Sequence, residues 1–213
     1  ARDVFIDARL LATADQGFGS QSAHIITHEI GHALGLRHPF DAAVPLGAAL
    51  DLRQRTVMSY ATAQLFTLTG LDTAQGVTLA ETFPSSFMKY DAEALQVMYG
   101  PNLSTNRGDT AYVIDGQSGD ALSIWDAGGT DLLDASGATR PCVVDMAPGA
   151  FSTIGAYPLA QQLADAAARG ITYSGDGAML NTRTGNLAIV QGVVIEQVTT
   201  GSAADTVWDN AWD

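Results

Sequence analysis

The segment HIITHEIGHALGLRHPF contains three histidines with the spacing of a metal site. His28 and His32 are four residues apart, so on a helix both imidazoles lie on one face, with Glu29 directed near the same point. His38 can join them only if the helix ends and the chain turns back. Gly35 permits this turn because glycine adopts the left-handed conformation without steric cost. Three protein ligands and one open position for water are typical of catalytic zinc, so the segment predicts a zinc site with a base beside it.

A second segment indicates more closely which group of zinc proteins the chain resembles. The pattern H-E-x-x-H-x-x-G-x-x-H is the metzincin signature, and residues 56–60, TVMSY, are similar to the methionine turn of that group. Proline after the third histidine and the Met-Ser-Tyr sequence at Met58 resemble the serralysins, which are secreted bacterial zinc proteases with a calcium-binding C-terminal domain. The resemblance implies a zinc-dependent endopeptidase that hydrolyses peptide bonds of extracellular proteins.

The resemblance also implies a role for each residue around the metal. Glu29 would act as general base toward water and then as general acid toward the leaving amine. Tyr60 would bind the metal as an extra ligand at rest and then hydrogen-bond the tetrahedral oxyanion. Met58 would form an apolar floor under the zinc. His24, four residues before His28, is expected to be solvated because the three histidines already supply the protein's ligands.

Three other interpretations stay open at this point. The motif could be a structural or degenerate metal site, or the chain could be a metzincin outside the serralysins. It could also be a catalytically incomplete zinc- and calcium-binding fragment that acts as a scaffold or as one subunit of a nicked protease. Only 27 residues precede His28, and they offer one strand, at residues 4–7. Because substrate recognition by strand addition needs a sheet edge, an N-terminal fragment of the same protease is expected as a partner, besides protein or peptide substrates.

Composition argues against several other classes of protein. The chain has 213 residues and a net charge of −13, which disfavours nucleic acid and anionic membrane surfaces as partners, since both require a basic face. No apolar run of the sequence is long enough to span a membrane. Cys142 is the single cysteine, which excludes an internal disulfide, and it is expected to be buried. The serralysin resemblance adds a secreted, extracellular location.

The chain is expected to be α+β and to have two parts. Residues 1–103 are predicted to form the C-terminal part of a metzincin catalytic domain. Its zinc helix would run from Ser20 or Ser22 to about Leu34, and a second helix over 90–99 would have Asp91 as its N-cap. Residues 104–213 alternate short β-like runs with Gly and Asp and predict a β-rich domain. A helical insertion near 157–185 would decorate its surface.

Calcium is a second candidate metal. Of the 23 acidic residues, 19 are Asp, often in turn-like stretches. They could simply form turns, or they could make oxygen cages for a hard cation. The serralysin resemblance favours calcium, with one ion bound by Asn106, Gly108, Thr110, Asp126 and Gly128 and another by Gly129, Asp131, Val194 and Glu196. Only residues 200–208 approximate a calcium-binding nonapeptide, and at least three repeats are needed for a shared core, so a truncated β-roll is expected.

Overall fold

The computed structural model describes residues 4, 6, 7, 17, 19–41, 45–72, 76–84, 86–117 and 121–210. The strand predicted at residues 4–7 is not formed at Val4, Ile6 or Asp7. Its remaining residue, Phe5, lies outside the described residues. Every helix in the described ranges is too short or too polar to cross a lipid bilayer.

Helix α1 spans Gln21–Leu34 and carries the first two histidines of the motif. Its N-cap is Ser20, whose hydroxyl oxygen accepts a hydrogen bond of 3.2 Å from the amide of Ala23 and so satisfies a donor that the helix leaves free. The predicted extent of this helix is therefore confirmed.

The buried face of α1 is not the expected one. The sequence predicts a buried apolar stripe that includes Ile26 and Ile30, yet Ile30 is 40% exposed. The buried residues are instead Ser22, His24, His28 and Gly31. The helix is rotated because the small Gly31 lets its histidine face pack closely on the segment around Met58.

A β-hairpin follows the methionine turn. Strand β1 spans Phe66–Asp72 and pairs antiparallel with β2, Gly76–Glu81, with a register shift between Leu68 and Gly70. The sequence predicts only a Thr- and Gly-rich loop here, and that prediction is wrong. Alternation of Thr and Leu along the segment is the strand signal that was present, since β-branched and aliphatic residues fit a pleated surface.

Helix α2 spans Lys89–Tyr99, as predicted to within one residue. Its N-cap is Met88 rather than Asp91. Asp91 lies at the third helical position, where its carboxylate accepts a hydrogen bond of 2.9 Å from the amide of Met88. This is the acidic half of a capping box, and its position inside the helix aims the carboxylate at the methionine turn.

The second half of the chain is built from short strands, mostly paired in parallel. The strands are β3 Ala111–Val113, β4 Leu122–Ile124, β5 Leu132–Asp134, β6 Val143–Asp145, β7 Phe151–Ser152, β8 Leu187–Ile189, β9 Gln197–Thr199 and β10 Thr206–Trp208. One sheet has the order β3-β5-β9, a second has β4-β8-β7, and β6 pairs with β10. All of these pairs are parallel except β7 with β8. The chain thus mixes helices and sheets, as the sequence predicts.

Two apolar clusters stabilise these elements. The larger one lies between the short sheets and includes Leu133, Val144, Ile189 and the free thiol of Cys142, which is buried as expected. The smaller one lies beneath α1 and joins Leu36, Val57, Met58, Met88 and Ala121. Because Ala121 belongs to the β-rich half, the two halves share this second core.

The predicted insertion contains helix α3, Leu159–Ala168, and also contacts the hairpin. Leu180 forms a parallel bridge with Phe66, and the amide of Asn181 donates to the carbonyl oxygen of Phe66 over 2.7 Å. The side-chain oxygen of buried Asn181 also accepts a 3.3 Å bond from Gln54. This segment is therefore not simple surface decoration, because it connects the hairpin to the β-rich half.

Candidate metal centre and active-site cleft

The three histidines of the motif meet at one point. His28, His32 and His38 place ligand nitrogens within 4.8 Å of one another, and in the described part of the chain they form the group of His, Cys, Asp or Glu side chains that could hold a metal ion. The Nε2 atoms of His32 and His38 are 3.1 Å apart. Two ligands of a tetrahedral zinc at about 2.0–2.1 Å lie about 3.3 Å from each other, so this separation fits zinc.

Each of the three rings is oriented by an oxygen atom at its Nδ1. Nδ1 of His28 donates to the carbonyl oxygen of Val57 over 2.8 Å, and Nδ1 of His32 donates to that of Leu36 over 3.1 Å. Nδ1 of His38 donates to the carboxylate of Asp41 over 2.8 Å. Because these oxygens can only accept, each neutral ring carries its proton on Nδ1 and presents the Nε2 lone pair to the cluster. Such partners are typical of metal-binding histidines.

Burial keeps the first ligand neutral. The pKa of His28 is lowered, mainly by burial and further by the nearby imidazoles of His32 and His38, although the bond to Val57 and the charge of Glu29 oppose this. A metal ion binds the neutral imidazole, so the local environment favours the state that a ligand requires.

The turn after α1 delivers the third histidine. Gly35 has φ of 102°, in the left-handed region, and the amide of Leu36 donates back to the carbonyl of Gly31 over 2.9 Å. A short 3-10 turn over Pro39–Asp41 then brings the Asp41 carboxylate beside His38. Asp41 is a further residue of the site that was not predicted, although an acidic residue three positions after a predicted ligand was an available signal.

A methionine floor lies beneath the cluster. Met58 is 1% exposed and packs against α1 at Gly31. A methyl group on Gly31 would lie 2.8 Å from the Met58 sulfur and 3.3 Å from a methyl carbon of Leu36, so a larger residue would require the Met58 side chain to shift. Position 31 is one of the unspecified residues of the motif, and the preference for glycine there follows from packing alone.

Tyr60 stands at the mouth of the cluster. Its side chain is 56% exposed and stacks on the His28 ring, with its hydroxyl 3.4 Å from Nε2 of His28. It also lies beside the His38 ring, with the two ring centroids 4.7 Å apart. Tyr60, His28 and Glu29 line one cavity of about 230 Å³. The hydroxyl and the carboxylate can therefore both reach a molecule held at this point.

Two further residues of this cavity were missed or misjudged from the sequence. His24 is only 7% exposed, so the expectation that it is solvated is wrong. Burial lowers its pKa to about 4, and the nearby charges of Arg53 and His28 act in the same direction. Arg53 also lines the cavity. A basic residue in a loop far from the motif gives no sequence signal of such a location.

A buried carboxylate on α2 anchors the methionine turn. Asp91 is 2% exposed and accepts hydrogen bonds of 2.6 Å from the Thr56 hydroxyl and 2.8 Å from the Val57 amide, besides the bond from Met88. Burial is the largest influence and raises the pKa of Asp91 to about 6, although the three hydrogen bonds oppose it. The sequence around Asp91 predicts only a helix cap.

The predicted calcium ligands lie on three neighbouring loops. Asn106 has positive φ, and its side-chain amide donates to the carbonyl oxygen of Trp125 over 3.3 Å, which ties the first loop to the second. A methyl group on Gly129 would lie 2.7 Å from the Gly108 carbonyl, so these two backbones are in direct contact. The hydroxyl of Thr110 donates to that same carbonyl over 2.9 Å.

Carboxylates from the second and third loops meet the first one. One Asp131 oxygen accepts from the Thr110 amide over 2.8 Å, and the Asp131 amide donates to Glu196 over 2.7 Å. Asp126 accepts from the Gly128 amide over 2.7 Å and from the Tyr112 hydroxyl. The remaining predicted ligand, Val194, lines a groove of about 640 Å³ that also includes Asp126, Gly128 and Glu196.

One oxygen of this cluster lacks a partner. Asp131 is 0% exposed, and its Oδ2 has no hydrogen-bond partner in the described residues. Its pKa is raised, first by burial and also by the nearby carboxylates of Asp126 and Glu196. A free buried carboxylate oxygen beside two other carboxylates fits a hard cation such as Ca²⁺, which prefers oxygen ligands.

Comparison with known proteins shows similarity over most of the chain. Residues 89–180 match the family of peptidase M10 serralysin C-terminal domains. The chain is also 31% identical to Serralysin B of Dickeya chrysanthemi, over 85% of this chain and 35% of the relative. The chain is therefore similar to the serralysin family of metalloproteases. The resemblance inferred from the sequence is therefore confirmed.

Other members of the serralysin family give the same result. Metalloprotease AprA of Pseudomonas entomophila is 29% identical over 92% of this chain and 38% of its own length. Serralysin of Proteus mirabilis is 30% identical over 71% of this chain and 33% of its own length. The chain thus spans about a third of the length of the curated relatives it matches.

Proposed function

We propose that this chain carries the zinc ligands and catalytic groups of a secreted metalloendopeptidase that hydrolyses peptide bonds of extracellular proteins. The observation that best supports this is the convergence of three Nε2 atoms whose rings are each fixed by an oxygen at Nδ1. A scaffold protein has no need of three oriented lone pairs beside an open cavity. Similarity to the serralysin family of metalloproteases gives independent support.

His28, His32 and His38 would hold the metal. Zinc supplies Lewis acidity that makes water a nucleophile near neutral pH. Glu29, which lines the same cavity as His28, would accept the proton of the attacking water and transfer it to the leaving amine. Tyr60 would donate a hydrogen bond to the oxyanion that develops at the peptide carbonyl. Loss of one such donor typically raises the barrier by about 3–4 kcal/mol.

The loops that contain Asp126, Asp131 and Glu196 would bind calcium. Support comes from the free oxygen of Asp131, which is buried beside the other two carboxylates. Calcium would stabilise the β-rich part, which we place at residues 104–213, after a catalytic part at 1–103. In this proposal calcium has a structural role and does not take part in peptide hydrolysis.

A second candidate function is a catalytically incomplete fragment that associates with an N-terminal part of the same protease. The specific observation in its favour is that the chain spans about a third of the length of its relatives. The 40% exposure of Ile30 on the zinc helix also suits a covering partner. In this alternative the metal site would form, but hydrolysis would require the second fragment.

The decisive experiment combines metal analysis with turnover of a general protein substrate. The purified chain should contain one zinc per molecule and hydrolyse casein. Glu29→Gln should keep the zinc and lose about 10²–10⁴-fold in turnover, since general base catalysis contributes that much and the amide cannot accept a proton. Absence of zinc, or full activity in Glu29→Gln, would contradict the proposal. Zinc without hydrolysis, with activity restored by an N-terminal fragment, would favour the alternative.

A further inference from the structure

The cavity beside Glu29 has a wall that the hydrolytic mechanism does not use. The proposed catalytic groups that line it are His28, Glu29 and Tyr60, and its other lining residues include His24, Arg53 and Phe83. The volume of about 230 Å³ corresponds to roughly eight water molecules at about 30 Å³ each, which is room for one side chain. Since this space opens directly from the proposed catalytic groups, its occupant would be adjacent to the reacting peptide bond.

Arg53 is a cation at this wall that forms no ion pair within 4 Å in the described residues. Its Nε is buried and has no hydrogen-bond partner in the described ranges. The neighbouring Glu81 is exposed and raises the pKa of Arg53, but burial dominates and lowers it. A partly buried charge without a partner is unfavourable, so an anion that enters the cavity would be stabilised.

A second residue of this wall, His24, also has a buried nitrogen without a partner in the described part of the chain. His24 is 7% exposed, and its Nδ1 has no hydrogen-bond partner among the residues that the structure describes. The Phe83 ring contacts both groups, with its centroid 5.3 Å from the His24 ring centroid and 5.7 Å from the Arg53 guanidinium carbon. The phenyl ring thus packs against both side chains at one wall of the cavity.

We propose that this cavity is a substrate subsite for an acidic side chain, glutamate or aspartate, next to the peptide bond that is cleaved, with the Arg53 guanidinium as its cationic partner. The carboxylate would accept charge-assisted hydrogen bonds from Arg53, while the methylene groups contact Phe83. Arg53 is then a specificity-determining residue rather than a catalytic one. This inference rests on the proposed endopeptidase function, because it names a substrate class for the same cleft.

The test measures both binding and turnover with matched peptides. Short neutral peptides that carry a single glutamate at successive positions are compared with the same peptides carrying glutamine. Dissociation constants are measured by calorimetry on the zinc-loaded Glu29→Gln variant, and kcat and KM are measured on the protein with Glu29 intact. Arg53→Met and Arg53→Lys test the cation. The control is Arg169→Met, which removes the same charge at an exposed position at the end of α3.

At one peptide position, glutamate should bind about tenfold to hundredfold more tightly than glutamine, as expected for hydrogen bonds to a charged group. The difference should appear in KM rather than kcat, because the contact is equally strong in the ground state and the transition state. The ratio of the glutamine to the glutamate dissociation constant should fall to about one in Arg53→Met. It should be partly retained in Arg53→Lys and unchanged in Arg169→Met.

Two results would overturn the subsite. One is a glutamate-to-glutamine ratio near one at every position in the protein with Arg53 intact, and absence of binding by either peptide set counts as the same result. The other is a preference for glutamate that survives Arg53→Met. Cleavage without any glutamate preference would overturn the subsite and leave the proposed function intact. Preferential binding of the glutamate peptide without cleavage would support the subsite and contradict the proposed function.

Discussion

His28 and Val57 are joined by a hydrogen bond of 2.8 Å from Nδ1 of the histidine to the carbonyl oxygen of the methionine turn. The amide of the same Val57 donates to Asp91 on α2, also over 2.8 Å. Val57 thus connects the two helices: its carbonyl group contacts His28 on the zinc helix, and its amide contacts the buried carboxylate of Asp91 on α2. The orientation of one metal ligand therefore depends on a residue outside the motif.

Asp91→Ala should destabilise the protein and weaken zinc binding together. The substitution leaves the Thr56 hydroxyl and the amides of Val57 and Met88 without their acceptor, and each buried unsatisfied donor costs about 1–3 kcal/mol. We expect a loss of about 3 kcal/mol or more in the free energy of unfolding, measured in urea. Val97→Ala on the same helix is the control, because Val97 is 88% exposed and such surface substitutions change stability by about 0.5 kcal/mol or less. Equal losses in the two variants would contradict this role.

The pKa of Asp91 predicts a pH dependence of stability. Its pKa is raised from 3.8 to about 6 by burial, so between these values the folded state binds more protons than the unfolded chain. The contribution of Asp91 to the free energy of unfolding is therefore greatest below about pH 4 and decreases as pH rises to about 6. Subtracting the stability profile of Asp91→Asn from that of the unsubstituted protein should isolate this fall. A difference that rises with pH over the same range would show that the sign is wrong.

Local signals made the helices and most short strands predictable. The Ser20 cap and the Gly35 stop bracket α1, and short β-branched runs between glycines mark the strands of the second half. Long-range contacts were not predictable from these signals. Nothing local to Asp91 indicates that it accepts from the methionine turn, and nothing near Arg53 indicates a cleft. The β1–β2 hairpin was missed because its Thr- and Gly-rich composition also suits a loop.

The spacing of the histidines predicts the zinc site, but the residues that support the site could not be predicted from that spacing. His28, His32 and His38 are fixed in relation to one another by helix geometry and one glycine, both of which are local. The burial of His24 depends on the rotation of α1, and that rotation is set by packing of Gly31 on Met58. An apolar stripe alone could not give this rotation, since the helix buries its ligands rather than its isoleucines.

Gly31→Ala should perturb the floor of the metal site. The added methyl group would lie 2.8 Å from the Met58 sulfur, in a cluster with almost no exposure. Overpacking costs about 1–3 kcal/mol, whereas alanine gains about 1 kcal/mol over glycine within a helix. We expect a net loss of about 1 kcal/mol by chemical denaturation. Gly47→Ala is the control, because a methyl group there meets nothing within 4 Å. An increase in the stability of Gly31→Ala would show that the Met58 side chain can move aside at little energetic cost.

Asp41→Ala should weaken zinc binding without unfolding the protein. Asp41 is largely exposed and accepts from Nδ1 of His38 over 2.8 Å, so it orients the third ligand. Loss of such a partner typically reduces metal affinity by about 10–100-fold, and the exposure of Asp41 places the expected value near tenfold. Competition with a chromophoric zinc chelator measures the change. Asp41→Asn keeps an acceptor oxygen and should lose less; equal affinity in all three proteins would remove Asp41 from the site.

Asp131 carries the strongest prediction for calcium because its burial is unfavourable without a cation. It is 0% exposed, its Oδ2 has no partner in the described chain, and two other carboxylates raise its pKa further. An ionised carboxylate in this setting is destabilising unless a positive charge compensates it. Calcium should therefore stabilise the protein, and removal of the negative charge should stabilise the calcium-free form.

Asp131→Asn tests these two effects in opposite directions. In excess chelator the variant should melt at the same temperature as the unsubstituted protein or higher, because the amide oxygen can still accept from the Thr110 amide without a buried charge. With calcium at a hundred times its dissociation constant, the unsubstituted protein should gain about 2.7 kcal/mol, and the variant should gain much less. Asp209→Asn, an exposed residue in the same half, should follow the unsubstituted protein in both conditions. Identical calcium shifts in all three proteins would show that Asp131 is not a ligand.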